Sequence, residues 1–267
     1  MAFWLLAAVT LAGCAAPGNH HATLWMNHAA EREALSIQVY RQALAAVDTV
    51  QGQPGFTALP AQMALPDRER LKPAVILDID ETVLDNGAYQ WQLAATGQRF
   101  PAGWDGWVRQ ADAPLVPGAA AFLDGLQRRH VTAVFITNRA CAKRPDSILP
   151  CPQEGDTIRN LIAAGVPGPI AAEDVMLAGE EAAWGSDKET RRAAAGGRYR
   201  ILAMVGDDLG DFLPGLSGSG PEGRDKAVRA FGANWGTSWF VLPNPMYGGW
   251  LRALDNQATP PAPPAGR

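Results

Sequence analysis

Two kinds of segment alternate along this chain: short apolar runs rich in Val, Ile and Leu, and longer stretches where apolar residues recur every three or four positions. The runs at 74–77, 131–137, 175–177, 199–205 and 239–242 read as strands. The periodic stretches at 24–47, 119–128 and 157–164 read as helices, the first packing through Trp25, Ala29, Leu35, Val39, Leu44 and Val47. Residues 52–66 are broken by Pro and Gly and read as a connection. Strands alternating with helices predict an α/β fold, a Rossmann-like parallel sheet with helices on both faces. One connection is unusually long: about 86–116 carries Tyr89, Trp91, Phe100, Trp104 and Trp107, and is predicted to form a small helical, aromatic cap.

Length and composition narrow this only a little. A chain of 267 residues, 47% hydrophobic, can bury a full core. A net charge of -4 without a Lys/Arg run argues against a nucleic-acid polymer as partner and leaves room for a small anion bound by local positive charge. No apolar run approaches the roughly 20 residues of a membrane span.

The ends are read separately. Residues 1–13 have the short apolar stretch and small-residue cleavage pattern of a signal peptide, and Cys14 is placed as in a bacterial lipobox, where the cysteine is lipidated. The expectation is an exported, membrane-anchored lipoprotein of the bacterial outer membrane, facing periplasm or surface. Residues 14–22 then form a linker, 23–257 the main domain and 258–267 a Pro/Ala-rich disordered tail. An oxidising compartment permits Cys141 and Cys151, in a Pro-rich loop, to pair as a disulfide; free thiols are the alternative.

The chemistry concentrates in Val75-Ile-Leu-Asp-Ile-Asp-Glu-Thr-Val-Leu-Asp-Asn86. An apolar strand delivers Asp78 and Asp80 to its C-terminal end, where α/β sheets place ligands, and alternation puts both on one side. Two buried carboxylates without a basic partner in the segment are costly unless a cation or proton resolves them, so the pair reads as catalytic.

Three further segments follow in order: Thr137-Asn138-Arg139, Lys188 within Ser186-Asp-Lys-Glu-Thr-Arg-Arg192, and Gly206-Asp207-Asp208-Leu-Gly-Asp211. The set resembles the four motifs of the haloacid-dehalogenase-like (HAD-like) phosphatases. With Trp25-Met-Asn, Val116-Pro-Gly118 and Leu242-Pro-Asn-Pro-Met-Tyr-Gly-Gly-Trp250, it is similar to the class C acid phosphatases, lipoprotein-anchored enzymes that are often 5'-nucleotidases. The resemblance implies a Mg²⁺-dependent phosphomonoesterase with Asp78 as nucleophile and Asp80 as general acid/base. The metal would be held by the Asp78 carboxylate, the Asp80 main-chain carbonyl and Asp207, with Asp211 orienting Lys188 or a metal-bound water. Thr137, Asn138 and Lys188 would bind the transferred phosphate, and Phe100, Trp104 and Tyr247 would sandwich an aromatic leaving group. Asp208 and Met246 stand where the resemblance implies Asn. Phosphotransfer, a non-aromatic substrate or an idle surface-binding lipoprotein are the rival readings, and a homodimer is left open.

Overall fold

The computed structural model describes residues 20–216 and 218–255; Cys14, the leader and the tail beyond 255 lie outside them. In chain order the elements are α1 (His20–His28), α2 (Ala30–Val50), β1 (Lys72–Leu77), α3 (Gly87–Thr96), α4 (Trp104–Gln110) and α5 (Ala119–Arg128). There follow β2 (Thr132–Ala140), α6 (Pro152–Ala163), β3 (Val175–Ala178), α7 (Glu189–Arg198), β4 (Tyr199–Gly206), α8 (Pro221–Ala230), β5 (Trp239–Val241) and α9 (Gly249–Asp255).

The five strands form one parallel sheet in the order β3-β2-β1-β4-β5. Alternation along each strand feeds two apolar layers: Val75, Leu77 and Phe135 pack with Tyr40, Val47, Phe122 and Leu126 on one face. Ala74, Ile76, Val134 and Ile136 pack with Ala195, Phe212 and Trp239 on the other. A sheet covered on both sides has strands that are apolar throughout, which is why the runs in the sequence are continuous. From β1 the chain builds outward first through β2 and β3 and then, past β1 again, through β4 and β5. The order therefore reverses beside β1, and it is outside the carboxyl ends of the strands at such a reversal that α/β sheets place their ligands.

The N-terminal helix departs from expectation in two ways. It is interrupted at Ala29, whose extended backbone (φ -77°, ψ 124°) caps α2. Its inward face is Arg32, Ser36, Tyr40, Ala43, Val47 and Val50, whereas Leu35 is 41% exposed. The charged residue on the inward stripe is there because it has partners: Arg32 donates to the Met26 carbonyl (3.0 Å) and to Asp85 (2.6 Å). Apolar periodicity cannot register a buried polar contact of that kind. The long connection contains α3 and α4, and among the described residues no helix is long and apolar enough to cross a membrane.

Candidate active site

The centre of the site begins where β1 runs out of apolar residues. The Asp78 amide still donates to the Val205 carbonyl (3.0 Å), so Asp78 is held in register with β4 at the strand's edge. Ile79 is buried on the opposite side, and the chain then turns back sharply: the Ile79 carbonyl accepts from the amides of Val83 and Leu84, both at 2.8 Å. Glu81 takes a left-handed conformation (φ 59°) inside this turn. Its buried carboxyl is pushed well above the ordinary range, by burial first and by Asp80 and Asp85 nearby. The turn is braced from α2, where the Tyr40 hydroxyl donates to the Thr82 carbonyl.

The two carboxylates meet different cations. Lys188, at the start of α7, donates to Asp78 Oδ1 and to Asp211 Oδ1, the latter at 2.7 Å. Burial opposes the Lys188 ammonium, yet Asp211 and Asp78 outweigh it and raise its pKa. Arg139, at the end of β2 and fully buried, grips Asp80 Oδ1 through Nε (3.0 Å) and Nη2 (2.8 Å). Thr137 donates its hydroxyl to Asp80 Oδ2 (3.2 Å), and Asn86 donates to Asp80 Oδ1 (2.9 Å). Asp80 is therefore fixed from three sides, while Asp78 Oδ2 accepts no hydrogen bond among the described residues.

Carboxylate oxygens of Asp78, Asp207 and Asp211 lie within 4.8 Å of one another. Burial, with Asp211 and Asp80 adding to it, holds Asp78 up to about 7 against the pull of Lys188. Asp207 is likewise pushed far above the ordinary range, by burial first and then by Asp78 and Asp211. One ammonium pairs with two of these three clustered acids, so negative charge is in excess and the donor set fits a divalent cation bound by oxygen. The members differ in freedom. Asp211 uses Oδ1 on Lys188 and Oδ2 on the amides of Asp207 (3.0 Å) and Asp208 (2.9 Å). Asp207 accepts from Asn244 (2.7 Å) and Thr82 (3.3 Å). Among the described residues Asp78 thus keeps one oxygen without a donor, Asp207 carries one bond on each oxygen, and Asp211, the most engaged of the three, holds the ammonium. Gly206 permits that arrangement, since a Cβ there would sit 2.3 Å from Asp211 Oδ2.

Several residues in this set were not singled out by the sequence. Arg191 reaches the Thr137 carbonyl, Asn138 Oδ1 (2.6 Å) and the Gly185 carbonyl (2.8 Å), and Arg192 reaches the carbonyls of Gly210 (2.8 Å) and Asp211 (3.1 Å). With Lys188 they stand at i, i+3 and i+4, one helix face gripping three loops, and that spacing was the signal available. Asn138 is engaged on both sides of its amide, donating to the Ser186 carbonyl (2.9 Å), so it ties β2 to the loop before Lys188. Asp208 neither points into solvent nor enters the carboxylate cluster. It accepts from the amides of Gly210 (2.8 Å) and Gly249 and faces Arg224 at 3.7 Å, pinning the segment that carries Tyr247. Met246 is fully buried.

The cap brings Trp104 over the Arg139 guanidinium, 5.7 Å from ring centroid to Cζ. Phe100, 64% exposed, lies 5.8 Å from Trp104, and Tyr89 backs it at 4.9 Å. Tyr247 belongs to the loop whose Asn244 holds Asp207, and among the described residues it makes no ring contact with Phe100 or Trp104. Cys141 and Cys151 are joined as a disulfide with Cα atoms 4.8 Å apart.

Acidic residues after parallel strands, a lysine bridging two of them and a third carboxylate held by arginine fit an α/β phosphomonoesterase. The chain belongs to the HAD superfamily, subfamily IIIB (acid phosphatase), whose model matches residues 56–250. It is similar to the class C acid phosphatase from Bacillus anthracis, with 31% sequence identity and a TM-score of 0.73 over 88% of this chain and 87% of that one. The structure of that enzyme with tungstate bound matches with the same figures.

Proposed function

We propose that this protein is an exported Mg²⁺-dependent acid phosphatase acting on phosphomonoesters with aromatic leaving groups, 5'-nucleotides and aryl phosphates, through a phosphorylated Asp78. The observation that carries the reading is the contrast between the two acids. Among the described residues Asp78 keeps one carboxylate oxygen without a hydrogen-bond partner while Lys188 holds the other, and Asp80 beside it is oriented by Arg139, Thr137 and Asn86. Asp78 attacks phosphorus, the bond to the leaving oxygen breaks, and Asp80 delivers a proton to that oxygen. Water then attacks the phosphorylated Asp78, giving its proton to Asp80, and inorganic phosphate departs with the carboxylate restored. Lys188 supplies positive charge to the transferred oxygens, and a Thr137 hydroxyl released from Asp80 supplies a donor. Asp78, Asp207 and the Asp80 main-chain carbonyl would hold a Mg²⁺, which would supply the charge neutralisation that an anionic acid needs to approach an anionic ester.

Trp104 lies over the Arg139 that grips Asp80, with Phe100 beside it, and this supports an aromatic preference in which Tyr247 is the third ring of the sandwich. Anchoring through a lipidated Cys14 belongs to the same reading. The test is Asp78→Asn, nearly isosteric but unable to attack phosphorus, assayed on an aryl phosphate with and without EDTA. Loss of turnover with an unchanged melting profile is expected, together with EDTA inhibition reversed by Mg²⁺. Turnover within about tenfold of the parent removes Asp78 from the nucleophile role.

A further inference from the structure

We propose that Arg144 is a positioning residue for substrate recognition: through Asp105 it fixes the helix that carries Trp104, and so sets how the site meets an aromatic leaving group. The inference rests on the aromatic reading of the cap given above. Helix α4 has only seven residues, Trp-Asp-Gly-Trp-Val-Arg-Gln, with Gly106 inside and left-handed Gly103 and Ala111 at its ends, and no side chain caps it. So short a helix has no stability of its own, and its place is decided by what holds it.

Val108 is buried and the Trp107 indole donates to Asn86 Oδ1 (2.7 Å). The helix is also held from the segment following β2. Arg144 donates to both oxygens of Asp105, through Nε at 2.9 and 2.8 Å and Nη2 at 2.8 Å. Gln153 adds a bond to Asp105 (3.0 Å) while its own oxygen accepts from the Ala142 amide (3.1 Å). At the far end of the helix Arg109 and Asp146 form a paired contact at 2.8 Å, and Arg159 donates to the Arg109 carbonyl (2.7 Å).

An exposed ion pair usually contributes little, and Asp105 is 54% exposed. Arg144 changes the case: it is 7% exposed, and its remaining arm pairs with buried Asp156 on α6, so the guanidinium is a rigid fork rather than a swinging chain. It also sits in the loop closed by Cys141–Cys151, which begins two residues after Arg139. The strand that grips Asp80 thus doubles back, through Arg144, to place the ring lying over that grip.

The test uses the disulfide-intact protein and compares a nucleoside 5'-monophosphate with glycerol phosphate. Asp105→Ala is the main variant, because Arg144→Ala strands buried Asp156 and can fail to fold. Asp105→Ala is expected to raise KM for the nucleotide about fivefold at unchanged kcat, with both constants for glycerol phosphate within about twofold of the parent. The double variant Asp105→Ala/Trp104→Ala is expected to bind the nucleotide no worse than Trp104→Ala alone. Parental KM for Asp105→Ala, an equal rise for both substrates, or additive losses in the double variant would overturn the proposal. If Trp104→Ala raises the nucleotide KM and Asp105→Ala does not, only this inference falls. If Trp104→Ala leaves it unchanged, the aromatic reading falls and takes this one with it.

Discussion

Replacing Asp80 with Asn separates the work of this acid from that of its neighbours. In the structure Asp80 accepts from Arg139, Thr137 and Asn86, and Arg139 is fully buried. Breaking a buried ion pair by removing one charge typically costs about 3–5 kcal/mol. Asp80 retains 16% exposure and Asn keeps one acceptor for the guanidinium, so about 2–3 kcal/mol is the working figure. For a domain of this size that lowers Tm by roughly 5–10 °C, and kinetics must be read well below the lowered midpoint. The chemical effect is separate and depends on the leaving group. A general acid contributes about 10²–10⁴-fold where an alkoxide must be protonated as it departs, and about tenfold or less where a nitrophenolate leaves unaided. Steady-state kcat for an alkyl phosphate and for 4-nitrophenyl phosphate, measured side by side, should therefore show a far larger loss for the alkyl ester. Equal losses for the two would refute acid catalysis by Asp80 and leave it the role of orienting Arg139.

Metal binding should strengthen as pH rises. Asp78 is raised in the metal-free site to about 7, so the metal-free fold loses stability as pH climbs from the ordinary carboxylate range through that value, and a cation replaces the lost proton. The Tm increase on adding Mg²⁺ should be larger at pH 8 than at pH 5; an equal increase at both would contradict the raised acid. Gly206→Ala places a Cβ against Asp211 and should loosen Lys188, lowering kcat while an aryl phosphate still binds; a parental kcat would show that the acid can move aside. Reducing Cys141–Cys151 should remove about 2–3 kcal/mol by the loop-entropy argument, and mass spectrometry of an unreduced digest that found both thiols free would reject the pairing.

Order, class and the location of the chemistry were legible in the chain. Helix α5 occupies the ten residues its periodicity predicts, and each apolar run became a strand of the sheet, because runs and breakers are local properties. Carboxylates placed directly after strands needed only the topology of a parallel sheet to converge, and the Asp78, Asp80, Asp207 set was visible for that reason. What remained hidden were the partners. Arg139 meets Asp80 across 59 positions and Asn244 meets Asp207 across 37, and no periodicity records a polar residue that is buried because of a group so far away. The inward face of α2 was misjudged on the same ground, since Arg32 and Ser36 face inward where a count of apolar residues turns the helix toward Leu35. Asp208 could not be assigned from its neighbours either, because its task is to hold a glycine 41 positions on. Local pattern decides where apolar atoms leave water, whereas a buried charge is tolerable only with its partner in place, and only the tertiary structure supplies that partner.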